Sequence, residues 1–61
     1  MTIGEQIRQI RIKMGLSQKA FAQKIGVRTG QTISDWEREI SPPHSRYKKQ
    51  FEEMGIIFPK N

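Results

Sequence analysis

Residues 17–37, SQKAFAQKIGVRTGQTISDWE, decide how this chain is read. Ser17 is an N-cap residue type, whose hydroxyl accepts a hydrogen bond from a free amide of the first turn. A helix is therefore expected from there to Ile25. Gly26 ends it, because glycine adopts the left-handed conformation without a steric cost. Thr29 stands where it can cap a second helix in the same way. That helix carries Gln31, Thr32, Ser34 and Asp35 on one side and Ile33 and Trp36 on the other. The stretch predicts two short helices joined by a tight turn, the second polar on its outer side.

Working outward, the rest of the chain is also helical in period, and strand alternation is absent. Thr2 and Glu5 have the spacing of a capping box. Ile3, Ile7, Ile10 and Met14 follow at i, i+4, i+7 and i+11, an apolar stripe on a first helix that Gly15 terminates. Leu16 reads as a buried hinge. In the second helix Phe21, Ala22 and Ile25 point inward, and Val27 packs back after the glycine. Ser41-Pro42-Pro43 breaks the chain, and a fourth helix is expected to start near His44 or Ser45, with Tyr47, Phe51 and Met54 inward and Gly55 at its end. The tail Ile56–Asn61 is apolar, then frayed, and too short for another helix. The fold class is all-α: a compact domain of four to five helices spanning residues 1–61, with the helix-turn-helix at about residues 17–38.

Sixty-one residues lie near the lower limit for a domain that folds alone. The chain has no cysteine, so neither disulfides nor thiolate metal sites supplement the core, and His44 as the one histidine excludes a multi-histidine site. No metal, cofactor or small-molecule ligand is expected. A single histidine also gives no credible nucleophile and base arrangement, so the chain is not read as an enzyme. The opening MTIGEQIRQI has no apolar signal region, and no run approaches the roughly 18 apolar residues of a membrane helix. The expected location is cytoplasmic, associated with the nucleoid when bound. Eleven Lys and Arg against six Asp and Glu leave a net charge of +5, which suits a polyanion through counterion release. A helix with short polar side chains on such a chain points to the base edges of DNA.

Three segments carry a likeness to a known family: IGEQIRQIR, GLSQKAFAQKIGV and TISDWE. Together they resemble the phage repressor and Cro type of helix-turn-helix domain, also called xenobiotic-response-element-like, over roughly residues 3–56. The most specific positions are Leu16-Ser17-Gln18, Phe21-Ala22, Ile25-Gly26-Val27, Ile33-Ser34 and Trp36-Glu37. Two departures stand out. The turn before Thr32-Ile33 is one residue longer than the common one, with Arg28 the best candidate for the insertion. After Glu37, where the family favours a small residue such as glycine, Arg38-Glu39-Ile40 stand instead. They predict a third helix that runs longer or ends without a left-handed cap.

The resemblance implies a regulator that binds double-stranded DNA, reading a pseudo-palindromic operator with the third helix in the major groove, as a homodimer at least on DNA. A groove about 12 Å wide admits one α-helix, and its floor displays a distinct donor and acceptor pattern for each base pair. Gln31 resembles the family position that contacts a base; its amide can bond N6 and N7 of adenine. Thr32, Ser34 and Asp35 are further base-reading candidates. Gln18 resembles a phosphate-contacting glutamine, at a helix start that itself favours anions. Lys19, Arg28, Thr29, Gly30 and Arg38 are the other phosphate candidates. Arg11 and Glu37 resemble an ion pair linking the first and third helices, with Arg11 also a candidate phosphate contact. Without a separate dimerisation domain, a dimer is expected to use the fourth helix with Ile56, Ile57 and Phe58, an apolar row that is either an interface or simply a lid on the core. Two alternatives remain: a protein-interaction module on the same fold, an antitoxin or antirepressor component, and a basic domain with only non-specific affinity.

Overall fold

The computed structural model describes residues 1–58. The end of the tail, Pro59–Asn61, lies outside the described residues. Four α-helices follow one another: α1 (Ile3–Lys13), α2 (Gln18–Ile25), α3 (Gly30–Glu37) and α4 (Lys48–Glu53), with a 3-10 turn at Ser45–Tyr47 leading into α4. No strand occurs among the described residues, and no helix is long and apolar enough to cross a membrane.

The local signals act largely as the residues dictate. Glu5 N–H donates to Thr2 Oγ1 at 3.2 Å while Thr2 N–H donates to Glu5 Oε1 at 3.0 Å, a complete capping box that starts α1. Donation from the Thr2 backbone N–H, and next from the Thr2 hydroxyl to the same Oε1 at 3.0 Å, holds the Glu5 carboxyl below its ordinary pKa. Ser17 Oγ accepts from Ala20 N–H at 3.0 Å to start α2. Gly26, with φ at 84°, ends that helix.

The core draws one or more side chains from every helix: Ile7 from α1; Phe21, Ala22 and Ile25 from α2; Val27 from the turn; Ile33 and Trp36 from α3; Phe51 from α4; and Ile56 beyond it. Phe51 is the hub. Its ring lies 5.9 Å edge-on from Trp36, 6.2 Å from Tyr47, 6.5 Å from Phe21 and 5.5 Å from Phe58. Edge-on and offset aromatic pairs of this kind add to plain area burial. Gly4 is buried where α1 crosses the end of α3; a methyl group there would lie 2.5 Å from the Trp36 carbonyl oxygen.

Several expectations need correction. Met14 lies on the apolar stripe but is 40% exposed; α1 ends at Lys13, which leaves Met14 as its C-cap. Leu16 is half-buried rather than buried. The fourth helix begins at Lys48, not at His44 or Ser45. His44 instead accepts Arg46 N–H on Nδ1 at 3.0 Å and starts the 3-10 turn. α3 does not run on past Glu37. Arg38 caps it, and Glu39 takes φ 60°, so that Ile40 N–H donates to the Asp35 carbonyl at 2.9 Å and Glu39 N–H to the Trp36 carbonyl at 3.1 Å. This is the left-handed reversal of a Schellman motif, formed on a glutamate.

Candidate nucleic-acid interface

α2 and α3 are joined by Gly26–Thr29, and α3 is held close to α2 at its start. A methyl group on Gly30 would lie 2.9 Å from the Lys19 backbone nitrogen and 3.1 Å from its Cα, so only glycine lets the two helix starts approach this closely. The turn ends before Gly30, with Arg28 and Thr29 exposed. Gln31 is thereby the second residue of α3. Thr29 occupies the N-cap position, but its side chain makes no cap hydrogen bond, contrary to expectation. The first amides of α3 therefore receive nothing from that hydroxyl.

The angle of α3 is fixed at its other end. The Glu37 carboxylate accepts Arg11 Nε at 2.6 Å on Oε2, and Arg11 Nη2 at 3.2 Å and Gln18 Nε2 at 3.3 Å on Oε1. Arg11 Nη1 also donates to the Leu16 carbonyl at 2.9 Å. One node thus ties α1, the turn after it, the start of α2 and the end of α3. The two charged side chains are 15% and 6% exposed, so this is a largely desolvated fork whose geometry matters more than its net energy. Nε and one N–H of each terminal nitrogen are bonded internally, so Arg11 is part of the frame, with two of its five N–H donors left over. Gln18 is half-buried and commits one amide hydrogen to Glu37.

The outer face of α3 is a polar strip. Gln31, Asp35 and Arg38 stand at i, i+4 and i+7, along one side of the helix. Gln31 Nε2 donates to Asp35 Oδ1 at 3.0 Å, and Arg38 Nη2 donates to the same oxygen at 3.3 Å. At roughly 100° per residue, Thr32 and Ser34 fall on opposite flanks of this strip, both half-buried. They are not brought together with Gln31 as one surface. Ile33 and Trp36 face the core, as expected. Lys19, Arg28 and Arg38 are exposed.

Three exposed cations were missed by the sequence reading: Arg46, Lys48 and Lys49. They follow the Pro-Pro break, and the ring of Tyr47 among them packs 5.4 Å from Trp36 of α3. The signal was present as three basic residues in four positions, RYKK. The proposed interface residues also part company. Ile56 is 1% exposed and belongs to the core, and Phe58 is half-buried against Phe51, because the chain after Gly55 folds back over the hub. Only Ile57 is outward, at 75% exposure. The Gln6 side chain holds it there, donating to the Ile57 carbonyl at 3.1 Å and accepting Ile57 N–H at 2.8 Å.

A family model described as helix-turn-helix matches residues 7–49, which takes in α1 from Ile7 onward, α2, α3 and the start of α4. No curated protein and no solved structure matches the chain.

Proposed function

This chain belongs to the helix-turn-helix family of the Cro and repressor type, a DNA-binding regulatory family, and from that premise we propose that it is a sequence-specific regulator acting at a pseudo-palindromic operator. The observation that carries this reading is the outer face of α3. It is an uncovered polar strip on a helix whose angle is set from behind by the Arg11–Glu37 fork. A helix so presented enters the major groove with its first residues against base edges, while the preceding helix crosses the backbone. Gln31 is the leading base reader, with Asp35 beside it and Thr32 and Ser34 reaching the groove walls.

Phosphate contacts set the register. Lys19 and Gln18 at the start of α2, Arg28, Thr29 and Gly30 before α3, and Arg38 after it supply them. The chain acts as a single domain and binds as a pair of copies, with half-sites about one helical turn apart. Ile57, exposed at the start of the tail, is the point of contact between them.

Selection from random duplex DNA tests this directly, and the expected outcome is an enriched inverted repeat. Affinity for it should fall steeply as salt rises. Gln31→Ala should remove a preference at one base pair per half-site, whereas Lys19→Ala should weaken all sequences alike and lower the salt slope. No enrichment, with salt-insensitive binding to another protein, would overturn the reading in favour of an interaction module.

A further inference from the structure

Asp35 is not placed like an independent base reader. Its Oδ1 accepts two donors, Gln31 Nε2 and Arg38 Nη2, at 3.0 and 3.3 Å, on a side chain 32% exposed. An ionised carboxylate only accepts hydrogen bonds, so the Gln31 amide must turn its nitrogen, and not its oxygen, toward Asp35. A glutamine amide has two N–H donors and one oxygen. With one N–H given to Asp35, Gln31 presents a single donor beside a single acceptor.

That remaining pair has the complement of one purine. Adenine offers an acceptor at N7 and a donor at N6, whereas guanine offers two acceptors, N7 and O6. A free amide can turn its NH2 toward both guanine acceptors. Gln31 held by Asp35 cannot, and its oxygen would face guanine O6. Arg38 makes the arrangement tolerable near phosphates, because it compensates the carboxylate on the same oxygen that Gln31 uses. Closing against the groove removes water from this exposed set, which strengthens the bonds within it.

We infer that Asp35 is a positioning residue: by holding the amide nitrogen of Gln31 it makes Gln31 select adenine against guanine, with Arg38 neutralising the carboxylate. The inference rests on the reading that α3 enters the major groove. It gives Asp35 a role in specificity without contact to a base.

The test compares wild type, Gln31→Ala, Asp35→Ala and the double variant. Each is titrated by fluorescence anisotropy on the selected operator and on a version with adenine changed to guanine, with its complement, at the pair that depends on Gln31. Circular dichroism confirms that each variant is folded. Wild type should prefer adenine by about tenfold, the scale of one bidentate contact. Asp35→Ala should reduce that ratio to about threefold or less while raising affinity for all DNA, since an anionic group has left the interface. In the Gln31→Ala background, Asp35→Ala should leave the ratio unchanged, because the coupling of the pair is what the cycle isolates. A tenfold preference that survives Asp35→Ala overturns the inference and leaves the groove reading intact. An equal change in the ratio with and without Gln31 also overturns it, because Asp35 would then read the base itself. A wild type with no preferred sequence removes both readings together.

Discussion

α2 and α3 have the same length, eight residues each, and are held in place by different means. α2 is specified locally: Ser17 caps its start, and Gly26 ends it in the left-handed region. Gln50 Nε2 also donates to the Ile25 carbonyl at 3.2 Å, satisfying an end group from α4. α3 shares only the left-handed ending. Its N-cap side chain makes no bond, and its left-handed residue is Glu39, where α1, α2 and α4 are each followed or ended by glycine: Gly15, Gly26 and Gly55. What holds α3 is tertiary: Ile33 and Trp36 in the core, Gly30 against Lys19, and Glu37 in the fork with Arg11. The difference teaches that α3 is placed chiefly by contacts on its inner side, while its outer residues Gln31, Asp35 and Arg38 bond only one another.

The comparison breaks most severely at Glu37. Glu37→Ala leaves the Arg11 guanidinium largely buried and without its carboxylate, an effect of about 3 kcal/mol. For 61 residues, total stability is about 3–9 kcal/mol, so the variant should be marginal or unfolded in a thermal melt. Replacing both partners, as in Arg11→Met with Glu37→Leu, should cost far less than the single change. A single variant as stable as wild type would mean that α3 does not depend on the fork.

Gly30→Ala probes the other anchor. The added methyl meets backbone atoms of Lys19 and Gln18, which cannot swing aside as a side chain would. α3 must shift away from α2, at an expected cost of about 2 kcal/mol, the usual range for overpacking. Elsewhere in a helix the same change stabilises, since alanine has the higher helix propensity. A neutral or stabilising result in urea denaturation would show that the helix starts are not in close contact.

Ser17→Ala and Thr29→Ala compare the two starts directly. Losing the Ser17 cap should cost about 1 kcal/mol. Losing the Thr29 hydroxyl, which accepts no amide, should change stability by only about 0.3 kcal/mol or less. Equal losses in thermal melts would mean that α3 is capped in solution after all.

The same contrast marks what the sequence made legible. Thr2 with Glu5, Ser17 and Gly26 were readable because their bonds are local, closed within a few residues of the chain. Ile7, Phe21, Ile25, Ile33 and Trp36 were readable because a 3.6-residue period assigns a face. The pairing of Arg11 with Glu37 was indicated by family resemblance, and no periodicity would have given it. Contacts closed only by the fold stayed hidden. Gln6 looks like any solvent-facing residue of α1, yet its amide clasps the backbone of Ile57 across 51 positions. Ile56 stayed open between an interface and a lid on the core, because nothing local says that the chain turns back after Gly55. Gln31 and Asp35 were separately visible, but their bond depends on rotamers that a pattern does not specify.

Glu39 carries the most discriminating prediction. A non-glycine residue in the left-handed region costs roughly 1–2 kcal/mol, so Glu39→Gly should relieve strain at the end of α3. Part of the gain is offset, because glycine adds freedom to the unfolded chain worth about 0.5–1 kcal/mol. The glutamate stem is also in use: its Cγ would lie 3.0 Å from a methyl on Gly4, which places it over the α1 crossing. The net expectation is a stabilisation of about 0.5 kcal/mol, read as a rise of about 2–4 °C in Tm for a domain this small. If Glu39→Gly instead lowered Tm, the stem packed on Gly4 would outweigh the backbone strain. The end of α3 would then be held by tertiary contact as firmly as its start, and local weakness would be confined to the empty cap at Thr29.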